Sequence, residues 1–505
     1  MRLSNSEKMY NADASAIHVA GIPSYILMQN AAAHIARAAA EIMGQNRTAV
    51  VFCGTGNNGG NGVGAAAILC QQGVRVRALL VGRREKMTHD SLRMEERLRA
   101  AGGELEPFDP QDAGLPAELR RAGAVIDALF GIGLKRDLGG DALKAVRLMN
   151  ASGAGVIAAD IPSGVSADSG AVLGEAVKCV RTVTFSLAKP GHFLEPGCVY
   201  CGEVEVCDIG IPPETVKAAE TDTEVILPGE IRLPKRPRVS HKGDFGKLLI
   251  LGGSRGYTGA PNLCARAAVR AGAGLVYLGV PEAIYPICAV KNDEAMPFPL
   301  PCDREGRLTE EAVRLALARE AAPDVIVAGP GMGRSEEIRK AVRLLLREAK
   351  VPLVLDADAL WAVSDEAALL ADYAYPLIIT PHAGEFARLG GAITGERLCD
   401  ARFFARQYGC ITVLKGHRTV VAMPDGRAGI IAAGNPGMAK GGSGDVLAGV
   451  LGALLGQMEP DRAVLTACWV HADAGDECAA QKGEYGMTPS DIIAAIPTIM
   501  KEITE

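Results

Sequence analysis

Regular alternation of strand-like and helix-like segments is the feature that most restricts the fold of this chain. From Thr48 onward, the apolar runs "TAVVFCG", "VRVRALLVG", "GAVIDALFG", "GVIAADIPSG" and "RTVTFSLAK" are separated by amphipathic stretches such as "SLRMEERLRAAG". Such alternation is typical of a mostly parallel sheet covered by helices. A helical segment, "SAIHVAGIPSYILMQNAAAHIARAAAEIMG", precedes the first strand. The sequence therefore predicts an α/β fold.

Length and a break in the pattern predict two domains. A chain of 505 residues is too long for one hydrophobic core. Prolines and charges crowd the segment after "CDIGIPP", and a second alternating series begins at "GKLLILGGS". We expect a first domain over 1–215, a linker over 216–238 and a second domain over 239–505.

Charge and composition favour small-molecule chemistry in the cytoplasm. The formal net charge of −6 provides no basic surface for nucleic acid or anionic membrane. The first residues lack a signal-peptide pattern, and no apolar run reaches the roughly 20 residues of a membrane span. Thirteen scattered cysteines indicate free thiols in a reducing compartment. We expect a cytoplasmic enzyme without nucleic-acid or membrane partners.

A cysteine cluster leaves a zinc site open as an alternative. The stretch "HFLEPGCVYCGEVEVC" places His192, Cys198, Cys201 and Cys207 close together in sequence. Two features of this stretch argue against zinc. It contains a single CxxC pair, and "CGEVEVCDIG" alternates like a strand whose thiols only pack. The pattern favours packing.

The first strand leads into a glycine-rich loop, "CGTGNNGGNGVG", which contains the dinucleotide pattern GxGxxG. An ordinary dinucleotide site has an acidic residue about 20 positions on, whereas here the second strand ends in "VGRRE". The amides of Asn57 and Asn58 and the added glycines suit an anion at a helix start and a hard cation. The loop therefore predicts a nucleotide as ligand without establishing a hydride cofactor.

Two further polar clusters follow later strands. "DALFGIGLKRD" spans Asp127 to Asp137, and "DIPSG" spans Asp160 to Gly164. Because carboxyl ends of parallel strands share one sheet edge, we expect these clusters to lie near the glycine loop. Together they offer oxygen ligands for a cation and a carboxylate for proton transfer.

These motifs, with the preceding "LMQNAA", resemble the NAD(P)HX epimerase family over about the first 210 residues. The resemblance implies a Rossmann-like three-layer α/β/α domain that interconverts the epimers of hydrated NADH and NADPH, with potassium bound. It implies substrate contacts from Asn57, Asn58, Gly59, Gly60, Asn61, Gly131, Ile132, Gly133, Leu134, Lys135, Arg136, Asp137 and Asp160. Asn58, Asp127 and Ser163 would hold potassium, and Asp160 would transfer the proton. The family usually reads "NNGGDG" where this chain reads "NNGGNG", so that Asn61 replaces a carboxylate.

The second half carries "GNPGMAKGGSGDVLAG", which places Asp445 in the first turn of a helix after a glycine run. Backbone N–H groups and the helix dipole can stabilise a transferred phosphate, and the carboxylate can take the proton of an attacking hydroxyl. The GK[ST] ending of a Walker loop is absent. The pattern predicts phosphoryl transfer.

With "GPGMG" and "DADAL", this loop resembles the ribokinase-like superfamily, and "HKGDFGKLLILGGSRGYTGAP", "TPHAGEF" and "KGHRT" resemble its NAD(P)H-hydrate dehydratases. The resemblance implies ADP-dependent dehydration with magnesium, releasing AMP and phosphate. It implies substrate contacts from Ala260, Gly331, His382 and Asp445, with Asp445 as the catalytic residue. ADP would contact Lys415, Gly416, His417, Arg418, Thr419, Asn435, Pro436, Gly437, Met438, Ala439, Lys440, Gly441, Gly442, Ser443 and Gly444.

Taken together, the two resemblances imply repair of NADHX and NADPHX, in which the epimerase supplies the S epimer to the dehydratase, and we expect a homo-oligomer. The alternative is a ribokinase-like sugar or hydroxymethylpyrimidine kinase fused to a noncatalytic nucleotide-binding domain. "HKGDFG" and "TPHAGE" favour the dehydratase.

Overall fold

The computed structural model describes residues 1–320 and 322–504. The chain forms two compact units: Arg2–Thr223, and a second unit that begins at Glu224 and includes Met1. In the first unit, the Leu3 N–H donates to the Thr223 carbonyl at 2.9 Å and the Thr221 N–H donates to the Leu3 carbonyl at 2.8 Å. The first unit therefore begins and ends at one place.

The first unit contains seven strands and eight α-helices. Its strands are β1 (Thr48–Cys53), β2 (Arg75–Leu80), β3 (Leu105–Pro107), β4 (Ala124–Ala128), β5 (Val156–Ala159), β6 (Arg181–Phe185) and β7 (Glu203–Cys207). Its helices are α1 (Ser6–His18), α2 (Ser24–Met43), α3 (Asn57–Gln71), α4 (His89–Ala100), α5 (Leu115–Arg121), α6 (Gly140–Asn150), α7 (Cys198–Cys201) and α8 (Pro213–Ala219).

The seven strands form one parallel sheet in the order β3-β2-β1-β4-β5-β6-β7. The order reverses between β1 and β4, which is the point where doubly wound folds bind ligands. Val51 packs on the side of α1–α4, and its neighbours Val50 and Phe52 pack on the side of α5 and α6. The predicted α/β class is confirmed for this unit, and side chains of successive strand residues fill two opposite cores, so helices cover both faces of the sheet.

In its described residues, the second unit contains ten strands and ten α-helices. Its strands are β8 (Thr223–Ile226), β9 (Lys247–Leu251), β10 (Leu275–Pro281), β11 (Met296–Leu300), β12 (Val325–Ala328), β13 (Leu353–Leu355), β14 (Leu377–Ile379), β15 (Ile411–Leu414), β16 (Val420–Ala422) and β17 (Ala428–Ile431). Its helices are α9 (Gly259–Arg270), α10 (Tyr285–Lys291), α11 (Glu310–Leu317), α12 (Glu336–Glu348), α13 (Asp358–Val363), α14 (Ala383–Arg388), α15 (Arg397–Tyr408), α16 (Ser443–Leu455), α17 (Pro460–Gly486) and α18 (Pro489–Glu502).

These strands form one sheet in the order β11-β10-β9-β12-β13-β14-β15-β16-β17-β8. Strands β9 to β15 pair in parallel, and β16 and β17 add an antiparallel extension. Helices α9, α16, α17 and α18 cover one face around a core that includes Ile250, Val327 and Trp469. Leu249 and Ile326, which point to the other face, are also buried. The predicted α/β class therefore holds for this unit as well.

The segment predicted as a linker, 216–238, differs from an irregular connection. It contains the end of α8 and all of β8, whose Ile226 carbonyl accepts the Ala432 N–H at 3.1 Å. A four-residue strand flanked by prolines and charges is too short to show its period in sequence. In the described residues, no helix has the length and apolarity needed to cross a membrane.

Candidate active sites

The first unit contains a cavity of about 540 Å³ at the carboxyl ends of β1, β4 and β5, where the strand order reverses. Eight of the predicted substrate residues line it: Asn57, Asn58, Asn61, Gly131, Ile132, Gly133, Leu134 and Asp160. Asn57 begins α3, so the N–H groups of the first turn of this helix lie at the cavity. The structure thus brings the glycine loop and both later clusters together.

Five predicted residues lie outside the cavity wall. Gly59 and Gly60 are buried in packing: a Cβ on Gly59 would lie 1.8 Å from the Gly54 carbonyl oxygen, and one on Gly60 would lie 2.5 Å from the Ser91 hydroxyl. These glycines therefore permit close approach of helix and loop. Lys135, Arg136 and Asp137 are exposed, because the loop turns to solvent after Leu134.

Asp160 is held by a buried lysine that the sequence motifs did not indicate. Its carboxylate accepts hydrogen bonds from Lys189 Nζ at 2.8 Å and from Thr184 Oγ1 at 2.9 Å. Burial by itself would raise the pKa of Asp160, but the Lys189 charge and hydrogen bond outweigh it and hold the pKa below its usual range. Asp160 has φ of 68°, which is uncommon for a residue other than glycine and marks a constrained position. The geometry presents an ionised carboxylate to the cavity.

Of the three predicted potassium ligands, Asp127 and Ser163 are hydrogen-bonded to each other, and Asn58 lines the cavity. Ser163 Oγ donates to Asp127 at 2.7 Å, and the Ser163 N–H donates to the other Asp127 oxygen at 2.7 Å. Both polar atoms of the Asn58 side chain are buried and have no hydrogen-bond partner in the described residues. Buried polar groups are rarely left unpaired, so the Asn58 amide fits a ligand at this position.

Asp127 is fully buried at the end of β4. Burial raises the pKa of Asp127 to about 6, against the hydrogen bonds from Ser163. A monovalent cation held by oxygen atoms would offset the cost of keeping this carboxylate ionised. The donor set of amide, carboxylate and hydroxyl oxygen fits potassium.

His192, which the sequence left open as a zinc ligand, uses both ring nitrogens inside the protein. Its Nδ1 accepts the Lys189 N–H at 3.1 Å, and its Nε2 lies 2.9 Å from the Asp160 carbonyl oxygen. Burial lowers the pKa of His192 to about 4, so the ring is neutral. His192 therefore fixes the backbone on both sides of the Asp160–Lys189 pair. Among residues 1–320 and 322–504, no group of three His, Cys, Asp or Glu residues could hold a metal ion.

In the second unit, Asp445 lies in the first turn of α16, after Gly442, which has φ of 103°. Burial and the neighbouring charge of Asp356 raise the pKa of Asp445 to about 7, and Lys415 opposes this shift. A carboxyl group with such a pKa can accept and release a proton near neutral pH. Its position at a helix start beside a glycine run agrees with the predicted phosphoryl-transfer site.

Lys415 links the two loops that the sequence assigned to ADP. Its Nζ donates to Asp356 at 2.9 Å and lies 3.4 Å from the position that a Cβ of Gly444 would occupy. Burial would lower the pKa of Lys415, but Asp356 and Glu385 raise it above its usual value. A cation is thereby fixed at the entrance of the glycine loop. The turn after it is closed by Thr419 Oγ1, which donates to the Gly416 carbonyl at 3.1 Å.

The loop 435–444 is held to α17 by side chains. Asn435 donates to Asp476 at 2.8 Å and accepts the Gly437 N–H at 3.0 Å. Lys440 Nζ donates to the Tyr485 carbonyl at 2.8 Å, so the charge of Lys440 stabilises the loop. The Ser443 hydroxyl is buried without a hydrogen-bond partner in the described part of the chain. The loop is therefore preorganised before nucleotide binds.

The remaining predicted dehydratase residues divide into two groups. Ala260 and Gly331 lie together, since a Cβ on Gly331 would be 3.1 Å from the Ala260 Cβ. His382 caps α14 instead: its Nδ1 accepts the N–H groups of Gly384 and Glu385 at 3.0 and 3.3 Å. Its side chain is 59% exposed, and its backbone bridges to Lys415.

Comparison with known proteins gives a match for each half. The family model for NAD(P)H-hydrate dehydratase matches residues 248–498, and the model for the YjeF-related protein N-terminus matches residues 24–191. A solved structure of an ADP/ATP-dependent NAD(P)H-hydrate dehydratase from Bacillus subtilis, co-crystallised with ATP and Mg²⁺, is 30% identical. The match covers 54% of this chain and 95% of that chain, with a TM-score of 0.47.

Whole-length relatives join the two halves. A bifunctional NAD(P)H-hydrate repair enzyme of Moorella thermoacetica is 38% identical over 100% of this chain and 98% of its own length. The enzyme of that name from Thermofilum pendens is 38% identical over 100% and 97%, and that from Escherichia coli is 33% identical over 99% and 94%. The resemblances predicted from the motifs are thereby confirmed, and the chain belongs to the family of bifunctional NAD(P)H-hydrate repair enzymes.

Proposed function

We propose that this chain repairs hydrated NADH and NADPH in two steps. The first unit interconverts the R and S epimers, and the second unit converts the S epimer to the reduced cofactor with ADP, releasing AMP and phosphate. The observation that carries the proposal is that one chain of this family contains two carboxylate sites. Asp160, in a constrained backbone conformation, lines the cavity of the first unit, and Asp445 lies at a helix start after a glycine-rich loop in the second unit. We also propose that the protein is cytoplasmic and forms a homo-oligomer.

In the dehydratase, Asp445 takes the proton of the substrate hydroxyl as the terminal phosphoryl group of ADP passes to that oxygen. The N–H groups of the α16 first turn and the Lys415 ammonium stabilise the charge on the group in transfer. Loss of the new phosphate ester together with a proton from the neighbouring ring carbon restores the double bond. Ala260 and Gly331 would position the ring, with His382 at the α14 start.

Magnesium would arrive with the nucleotide and neutralise phosphate charge. One oxygen of Asp356 accepts both Thr380 Oγ1 and Lys415 Nζ, at 2.6 and 2.9 Å. The other lies 3.9 Å from the position of a Gly444 Cβ, beside the proposed phosphate loop. Carboxylate oxygen is a preferred magnesium ligand, so Asp356 fits this role.

In the epimerase, potassium would be held by Asn58, Asp127 and Ser163, and it would supply positive charge near the phosphates or the amide of the substrate. Asn58 has buried amide atoms that are available for this ion. Asp160, kept ionised by Lys189, would accept a proton during the inversion of the hydroxylated ring carbon.

Asn61 lines the cavity from α3 at the position where the family usually has aspartate. An amide of the same shape still donates and accepts hydrogen bonds. Since Asp127, Asp160 and Ser163 remain and form the contacts above, we propose that the epimerase is active. Asn61→Asp should then raise its rate only a few-fold, about the effect of one hydrogen bond.

The test supplies the purified full chain with both epimers of hydrated NADH, ADP and magnesium, and follows nicotinamide absorbance. AMP and inorganic phosphate should appear in equal amounts to reduced cofactor. Asp445→Asn should abolish recovery and leave ADP binding by calorimetry nearly intact, because loop N–H groups hold the nucleotide. Stable phosphorylation of a sugar or pyrimidine alcohol without repair would instead establish the kinase alternative.

A further inference from the structure

The cavity that contains Asp160 is also lined by a carboxyl group on α1, before the segment 24–191 matched by the family model. This group is Asp13. Met9, Asp13 and Ile17 are spaced four residues apart and therefore share one face of α1. All three line the cavity.

No contact in the described residues accounts for a carboxyl group at the position of Asp13. Met9 is buried and Ile17 packs against the same core, so an acidic residue interrupts an apolar face. In residues 1–320 and 322–504, the Asp13 carboxyl group forms neither a hydrogen bond nor an ion pair. Asp13 is partly buried, where a carboxylate without a partner is costly, and such positions are typical of functional sites.

The charged groups that line the cavity are Asp13, Asp90, Asp160 and Lys189. Lys189 is bound to Asp160, and Asp90 accepts a hydrogen bond from Ser24, whereas Asp13 is unpaired. Burial raises the pKa of Asp13 to about 6, with Lys189 opposing and Asp160 reinforcing the shift. Asp160 is thus ionised, whereas Asp13 retains a protonated fraction near neutral pH, and two carboxyl groups that differ in this way can act as an acid–base pair.

We propose that Asp13 is a second catalytic residue of the epimerase, the general acid opposite Asp160. The inference rests on the function proposed above. The hydroxyl of the hydrate lies on the carbon next to the ring nitrogen. Asp13 gives its proton to this hydroxyl, the C–O bond breaks, water leaves, and the nitrogen lone pair forms a C=N bond. A water molecule then adds to the opposite face of that carbon and gives a proton to Asp160, and the C=N electron pair returns to nitrogen.

The step balances: one water molecule leaves and one enters. The proton moved from Asp13 to Asp160 is restored by exchange with solvent, or by catalysis in the reverse direction with the two roles exchanged. The Asp160–Lys189 contact stabilises the ionised form of Asp160 at the start of each cycle. This scheme explains why the carboxyl groups of Asp13 and Asp160 reach the cavity from different elements.

The test uses the full chain with purified R epimer, ADP and magnesium, and measures reduced cofactor. Asp13→Asn should lower conversion of the R epimer by about 100-fold to 10,000-fold, the range for loss of a general acid. Conversion of the S epimer should stay at the wild-type rate, because it needs only the second unit. Asp13→Glu should recover part of the loss. Glu7→Gln, at an exposed position on α1, is the matched control and should match wild type.

A second readout separates chemistry from folding. In water labelled with heavy oxygen and without ADP, wild type should place label in the hydroxyl of the hydrate faster than the uncatalysed exchange, and Asp13→Asn should not. Thermal melting should show both proteins folded. If Asp13→Asn converts the R epimer at the wild-type rate while Asp160→Asn does not, the role of Asp13 is refuted and the proposed function stands. If wild type itself fails to convert the R epimer, the proposed function fails.

Discussion

The dehydratase rate should rise with pH through the titration of Asp445. This carboxyl group must be ionised to take a proton, and its pKa is about 7 because of burial and the Asp356 charge. At pH 6 about a tenth of the molecules would have the ionised form, and at pH 8 about nine-tenths. With saturating S epimer, ADP and magnesium, we therefore expect about a tenfold higher rate at pH 8 than at pH 6, and a plateau above.

The nucleotide phosphate also titrates near pH 6, so a variant must assign the inflection. Asp356→Asn removes the charge that raises the pKa of Asp445 and frees Lys415 to lower it further. Its amide oxygen can still accept the Thr380 and Lys415 hydrogen bonds. The inflection should move to lower pH in this variant, whereas a nucleotide titration would stay in place. A flat profile from pH 6 to pH 8 in wild type, or an identical inflection in both proteins, would refute Asp445 as the base.

Three further outcomes follow from the contacts of the first unit. Gly59→Ala should destabilise this unit by about 3 kcal/mol in a denaturant titration, since its Cβ meets the Gly54 backbone oxygen, while Gly133→Ala, with open space around it, should be near neutral. Lys189→Met leaves Asp160 buried and unpaired, which costs about 3–5 kcal/mol at neutral pH. Without Lys189, the pKa of Asp160 in the folded protein lies above its value in the unfolded chain. The melting temperature of the variant should therefore fall as pH rises, whereas in wild type the lowered pKa of Asp160 makes stability rise with pH. Replacing potassium by lithium, or Asn58 by leucine, should slow R-epimer conversion and leave S-epimer dehydration unchanged.

The layered fold and the site loops could be predicted because they leave local signals. Strand periodicity predicted the sheets, and the glycine motifs predicted the helix starts that begin α3 at Asn57 and α16 at Ser443. Lys189 and Asp13 left no such signal, since a lysine after a strand and an acid in a helix are ordinary surface residues in sequence. Only tertiary packing buries Lys189 and turns Asp13 toward the cavity.

The strand β8 and the role of His382 are two further features that the sequence alone did not predict. A four-residue strand at a sheet edge depends on its partner β17, which lies about 200 residues later. The resemblance carried by "TPHAGEF" implied a substrate contact for His382, and in the structure the His382 ring caps the start of α14. Motifs indicate which segments meet, and the atomic roles depend on the packing between them.

The hydrogen-bonded closure between Leu3 and Thr223 has a consequence for modularity. A unit whose two ends are adjacent can be excised, or fused to another chain, without a long linker. Domain insertion and circular permutation succeed at such places. The first unit can therefore be inserted as a whole into another chain.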